Sequence, residues 1–294
     1  MRVTDKMIFD SANLRSGQAR DRLQTAIDQT SSGLKVEHPW DDPTATASVV
    51  THRLSLKRLE TIQVVAGRAA DELQSADDAL GGVVDAMARA RELTIQMSNE
   101  TYNATDRLNS SAEVRQLFGH VLGLVNTRVA NRYVFGGNLD DAPPFDATGT
   151  YLGDAGIRKI EVFPGVMQDA SINADQVIKG AGGGTDVFAV LDGLATALEN
   201  NDLAAIRAAI EPLDDALTQI STGRSTVGAA MNAIDVAALA ARSTADIETT
   251  TLSNLTEVDV IESTSRLALA QRALDAALTA SARSFDLSLL NKLG

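Results

Sequence analysis

The sequence predicts a mainly α fold: long antiparallel helices in a rod-like bundle, with coiled-coil termini and a small β insert. Three observations carry this prediction. Apolar residues alternate at threes and fours from Leu59 to Met97 and again from Ile206 to Leu255, a period that buries one face of a helix and not of a strand. The chain is 44% hydrophobic but only 4% aromatic, so its apolar content is mostly Ala, Leu and Val, which suits helices packed side by side better than a large globular core. Between the two periodic stretches, residues 138–184 collect Pro143, Pro144, Pro164 and clustered Gly and Asp, where no long helix can persist.

Taken in order, the first 34 residues read as helical in part, with Ala12, Ala19, Leu23, Ala26, Ile27, Thr30 and Leu34 repeating at threes, fours and sevens and Gly33 as a candidate stop. Pro39, Trp40, Asp42 and Pro43 follow as a hinge. Two prolines within five residues interrupt the helix, and Asp42 before Pro43 is a capping carboxylate followed by a residue suited to the first helical position. The next helix carries Leu59, Ile62, Ala66, Ala69, Leu73, Ala76, Leu80, Val83, Met87, Ala90, Thr94 and Met97 without a slip, a sustained heptad pattern. Gly81 and Gly82 lie inside it and weaken it unless close packing requires them. A further helix is expected from about Asp106 to Arg132, burying Ser111, Val114, Phe118, Val121, Val125 and Val129. In the insert, 157–163 and 166–172 read as strands joined at Pro164-Gly165, with 176–178 as a candidate third strand and 181–184 as a return loop. Helix resumes at Asp186. After Asn200-Asn201-Asp202 the second heptad runs through Arg224 and Glu248 to Leu255, with Pro212, Gly223 and Gly228 as weak points. The last stretch, 252–294, places Val260, Leu267, Leu274, Leu278, Phe285 and Leu289 in one narrow stripe. It stays apolar through Leu290 and Leu293, although a solvated terminus ordinarily reads polar. The expected organisation is therefore 1–44 terminal helix and hinge, 45–137 first half of the rod, 138–184 insert, 185–251 second half of the rod, and 252–294 terminal helix.

Charge and composition exclude several functions. The net charge is −13, and no basic stripe is available to displace counterions from a nucleic acid. There is no cysteine, hence no disulfide or thiol chemistry. No apolar run reaches membrane-spanning length. Asp5, Lys6 and Asp10 interrupt any secretory signal, so composition alone points to the cytoplasm. His38, His52 and His120 are scattered without metal-ligand spacing. Asp77-Asp78 and Asp214-Asp215 read as solvated faces, and 180–184 lacks the Gly-Lys-Ser/Thr ending of a phosphate loop. No nucleophile, base and oxyanion donors come together, so no catalytic, metal or cofactor-binding residue is expected.

Thr30-Ser31-Ser32-Gly33-Leu34-Lys35 followed by Asp41-Asp42-Pro43 resembles the N-terminal signature of the flagellin superfamily, the axial proteins of the bacterial flagellum. Leu255 to Asp259 and onward to Leu290 resembles the C-terminal helix of that family. Asn126-Thr127, then Tyr133-Val134-Phe135-Gly136-Gly137 and Pro143-Pro144-Phe145, is similar to the branch that joins hook to filament. Trp40 departs from the family hinge, where a smaller polar residue is usual. The resemblance implies a structural flagellar subunit that is exported unfolded without a cleaved signal, in place of the cytoplasmic reading. It implies a ring-like assembly of copies of the chain, with hook-associated protein 1 and flagellin as neighbours and an export chaperone on the C-terminal helix. Leu23, Ile27, Val260, Leu267, Leu274, Leu278, Phe285, Leu289 and Leu290 would be the contact residues between subunits. Each terminal stripe can be satisfied only in part within one chain, so the ends are expected to complete their folding against neighbours. A filament subunit of the same family, a soluble coiled-coil adaptor and an enzyme hidden in the insert are the alternatives.

Overall fold

A computed structural model describes residues 2–293, with the side chains of residue 7 and residues 9–283. The chain divides into two units, one formed by residues 1–57 and 245–294 and the other by residues 58–244.

The middle unit is built on α2 (Pro43–Met97) and α7 (Ile210–Thr256), both of which continue into the terminal unit. Within the middle unit they run antiparallel. Arg91 pairs with Asp214, and Arg224 donates to both carboxylate oxygens of Asp77 at 3.0 Å, so the partner's number falls as the residue number rises. All twelve heptad positions from Leu59 to Met97 are buried, and Leu213, Ile220, Val227 and Ile234 of α7 belong to the same core. The two acidic pairs expected to be solvated thus each give one member to an ion pair across the seam. α3 (Ala104–Val125) is capped by Asn103 and Asp106, whose side chains accept from each other's end of the first turn, a reciprocal capping box. Val114, Val121 and Val125 are buried, and a Cβ on Gly82 would stand 2.8 Å from Leu124, so this glycine permits the close approach of α3. Arg107 is buried at the turn after α2, donating to the Met97 and Asn99 carbonyls at 3.0 and 2.9 Å, where the dipole of α2 presents negative charge.

α3 ends at Val125, seven residues before the boundary expected at Arg132. A short hairpin, β1 (Arg128–Val129) and β2 (Arg132–Tyr133), follows it. Ala130 and Asn131 at φ 46° and 74° form a two-residue turn of the kind that matches strand twist. In the insert, β3 (Lys159–Phe163) pairs antiparallel with β4 (Val166–Asp169) across Pro164-Gly165, where Gly165 has φ 82°. Residues 176–178 do not form a strand. Asn173 caps a single turn, α4 (Ala174–Val177), by accepting from Asp175 and Gln176. The capping residue ahead of this segment decides against the strand. α5 (Val187–Glu199), capped by Asp186, buries Phe188, Leu191, Leu194 and Leu198, and α6 (Leu203–Ala208) follows the Asn201 turn. Pro212 falls in the first turn of α7, where its missing N–H costs no helical bond. Gly223 faces Val177, which a Cβ would approach to 2.7 Å.

In the terminal unit, α1 (Arg2–Ser32) pairs with α8 (Val260–Leu293). α7 stops at Thr256 and α8 begins only at Val260, so the expected continuous stretch from 252 is broken. Asp259 caps α8 by accepting from Ile261 and Glu262. Gly33, at φ 72°, ends α1, and the chain beyond it pairs with the break: Lys35 N–H donates to the Thr256 carbonyl at 2.8 Å and Val258 N–H to the Gly33 carbonyl at 2.9 Å.

Candidate functional site

The terminal helices α1 and α8 carry apolar surface that the chain does not cover. On α1 the residues turned inward are Ala12, Ser16, Ala19, Leu23, Ala26 and Thr30, and on α8 they are Ser263, Leu267, Ala270, Leu274, Ala277 and Ser281. Both sets alternate fours and threes. The Thr30 and Ser263 hydroxyls meet at 2.6 Å and set the register. Counted antiparallel from there, Ala26 is level with Leu267, Leu23 with Ala270, and Ala19 with Leu274, so each leucine stands against an alanine. The fully buried members, Ser16, Ala19, Ala26 and Ser263, are all small. Burying a Leu or Met side chain contributes about 1.5–3 kcal/mol, and the middle unit buries many such residues. The described part of the α1–α8 seam buries none completely, so it is held by much less.

The stripe expected to form one seam is divided. Leu23, Leu267 and Leu274 are half-buried between the helices, whereas Ile27, Val260 and Leu278 are exposed, Val260 at 68% and Leu278 at 42%. The side chains of Phe285, Leu289 and Leu290 lie outside the described residues. Met7, Leu14, Ile261 and Leu269 add to the exposed apolar set. Ala270 and Ala277, expected among the small residues that let helices approach, lie in the seam; Ser16, Ser263 and Ser281 complete it and escaped the sequence reading, because small polar residues carry no hydrophobic signal. Their heptad spacing, Ser16 against Leu23 on α1 and Ser263 and Ser281 against Leu267 and Leu274 on α8, is the signal that could have found them.

Asp42 Oδ1 accepts from the N–H groups of Thr44 and Ala45 at 3.0 and 2.9 Å, and Pro43 opens α2. Asp41 Oδ2 accepts from the N–H groups of His38 and Glu37, which holds its carboxyl below the usual carboxylate range. Trp40 is 74% exposed and tilts against the His38 ring at 4.5 Å. His52 stands at a seam position of α2 and meets Glu248 of α7, whose other oxygen accepts from Ser55 at 3.1 Å. The His52 contact is the main cause holding the Glu248 carboxyl below its ordinary range.

The segment Tyr133 to Phe145 is a packed corner of the middle unit. A Cβ on Gly136 would come 2.4 Å from the Leu139 carbonyl oxygen. Gly137, at φ 69°, has Asp154 in the place of a side chain. The Asn126 amide donates to the Phe145 carbonyl at 3.0 Å and accepts its N–H at 3.1 Å, seating Phe145 against Phe188 and Tyr151. The Tyr151 hydroxyl donates to the Phe135 and Asp154 carbonyls, and burial pushes its pKa up to about 12. Among the described residues no group of three or more His, Asp or Glu is arranged to hold a metal, and no helix is long and apolar enough to cross a membrane.

Two family models match the chain: the bacterial flagellin N-terminal helical region over residues 5–139 and the bacterial flagellin C-terminal helical region over residues 210–293. The chain belongs to the flagellin family. It is 27% identical to flagellar hook-associated protein 3 of Escherichia coli K12, an alignment that covers 98% of each chain. It is also 27% identical to the flagellar filament 30.7 kDa core protein of Treponema maltophilum, over 81% of this chain and 80% of that one. Among solved structures, flagellar hook-associated protein 3 from Legionella pneumophila shares the fold, with a TM-score of 0.63 at 16% identity, covering 70% of this chain and 98% of that one. Bacillus cereus FlgL matches with a TM-score of 0.58 at 21% identity, over 72% of this chain and 100% of that one.

Proposed function

We propose that this chain is a structural subunit of the bacterial flagellum that forms the junction between hook-associated protein 1 and the flagellin filament. In this reading it polymerises through α1 and α8 and performs no catalysis. It is exported unfolded, without a cleaved signal, to an extracellular position, and a chaperone holds the C-terminal helix on the way. The observation that carries the reading is the end-to-end alignment with hook-associated protein 3, which runs through the insert as well as the helical ends. The filament core relative aligns over a smaller share of both chains. A weakly held α1–α8 pair that still exposes Val260, Ile261, Leu269 and Leu278 supports a pair that is completed by other subunits. The contact set is Leu23, Ile27, Val260, Leu267, Leu274, Leu278, Phe285, Leu289 and Leu290, with Pro39, Trp40, Asp42 and Pro43 as the hinge that sets the angle between α1 and α2.

Electron microscopy of a strain lacking this chain tests the proposal. Hooks should form without filaments, and flagellin should appear in the medium. Reintroducing the chain should restore filaments. Filaments of ordinary length on the deletion strain would rule out the junction role, and absent flagellin with capped hooks would favour the filament-subunit reading.

A further inference from the structure

A cavity of about 300 Å³ opens in the middle unit between β4 and α7. Its floor is apolar: Leu73 of α2, Val177 of α4 and Val227 of α7 are all buried. Its rim is polar, with Gln168, Asp169 and Gln176. Among the described residues, the side-chain amides of Gln168 and Gln176 meet no partner within the chain. Asp169 pairs with Lys159 at 3.5 Å, but both side chains are partly in water, and such a pair contributes little.

The cavity follows the free edge of β4. Gln168 and Asp169 are successive strand residues, so they point to opposite faces of the hairpin, yet both line the cavity. It therefore meets the strand edge-on. β3 holds the other edge, and the sheet has no third strand. The Ala170 N–H donates to the Arg158 carbonyl at 2.7 Å, which leaves Asp169, level with Lys159, between bonded pairs. Residues in that position turn their N–H and C=O away from the partner strand. Met167, level with Glu161, is placed in the same way. Neither backbone finds a partner on its outer side among the described residues. Outward-facing backbone groups thus stand beside a space for a side chain.

We infer that this cleft takes an extended segment of a partner protein, added as a strand to β4. Its backbone would bond Met167 and Asp169, and an aliphatic side chain would fill the cavity. The volume lies at the small end of the range for ligand sites, which suits one leucine-sized side chain. Neighbours of that residue in the strand point to the opposite face. Gln168 is level with buried Ile160 and Asp169 with exposed Lys159, so the opposite face is the one that presents the Asp169 carboxylate. A basic residue on either side of the aliphatic one would meet it, and the chain's net charge of −13 favours a partner of that sign. The site uses no residue of α1 or α8 and does not rest on the junction reading.

Amide spectra and hydrogen exchange of the full-length chain, titrated with the capped peptide acetyl-Thr-Lys-Leu-Lys-Thr-amide, test the site. Saturable shifts should appear along β4 and around Val227, and the Asp169 amide should gain about tenfold or more in protection from exchange. Asp169→Lys should weaken binding by about tenfold. Ala229→Trp, at an exposed position on the cavity wall, should abolish binding, and both variants should melt as wild type. A peptide with aspartate in place of leucine should not bind the wild-type chain. No saturable binding up to millimolar peptide would overturn the inference. So would binding that leaves the Asp169 amide exchanging as before, or binding indifferent to both protein substitutions and to the loss of the leucine.

Discussion

Asp42 shows how one side chain connects sequence to architecture. Its carboxylate takes two free N–H groups in the first turn of α2, which have no helical partner of their own. Replacing it with alanine should cost about 1 kcal/mol, read as a lower midpoint in urea melts of the purified chain. An unchanged midpoint would mean that Thr44 and Ala45 find water as readily. Glu248 makes a prediction in pH. Its carboxyl titrates below the ordinary value of 4.5 because His52 and Ser55 bond the ionised form. A carboxylate with a lowered folded pKa contributes stability above the unfolded value and loses it as pH falls through the folded one. Wild type should therefore exceed Glu248→Gln in stability near neutral pH, and the gap should close as pH is taken from about 5 towards 3. A gap that is constant across that range would show that the carboxylate charge has no part in it. No neighbour in the sequence marks His52 as a partner of Glu248. The pairing becomes visible only when α2 and α7 are set antiparallel.

At the scale of the element, the heptads were the most legible feature, because every heptad position from Leu59 to Met97 reports the same buried face. Boundaries were less legible where a turn rests on backbone conformation instead of on composition. Ala130-Asn131 holds two positive φ angles without a glycine, so the helical periodicity carries on through it to Arg132 with nothing to mark the turn. Val177 and Ile178 look like strand residues until Asn173 is seen capping them. The helix glycines divide in the same way. A methyl group on Gly82 would stand 2.8 Å from the end of the Leu124 side chain, which would have to shift, whereas on Gly228 of α7 a methyl group would have nothing within 4 Å. Gly82→Ala should destabilise the chain by about 1–3 kcal/mol through overpacking. Gly228→Ala should stabilise it by about 0.5–1 kcal/mol by restricting the unfolded chain and favouring helix. Thermal melts of the two variants should move in opposite directions. Movement in the same direction would show that the packing of α3 on α2 does not depend on Gly82.

For the whole molecule, the two units differ in how completely each buries its own apolar residues. The middle unit encloses leucine, methionine and phenylalanine, whereas the described seam of α1 and α8 fully encloses only alanine and serine and leaves larger residues facing solvent. The apolar C-terminal stripe was legible in the sequence, but its partition was not, because the partner of each residue depends on the register set at Thr30 and Ser263. That partition separates two substitutions that the sequence alone treats as equivalent. Leu274→Asp puts a charge into the α1–α8 seam and should reduce helix content and amide-exchange protection in those two helices, leaving the cooperative melt of the middle unit in place. Leu278→Asp puts the same charge on the exposed side, where water solvates it, so monomer helix content and melting should match wild type. In an assembly that covers Leu278, burying an unpaired carboxylate costs several kcal/mol, and that variant should fail to support filament growth. Secretion has to be measured alongside, since a chaperone contact on the same helix would act earlier. Normal filaments from exported Leu278→Asp would show that this side of α8 stays in water, and the assembly surface would then have to lie elsewhere on the terminal helices.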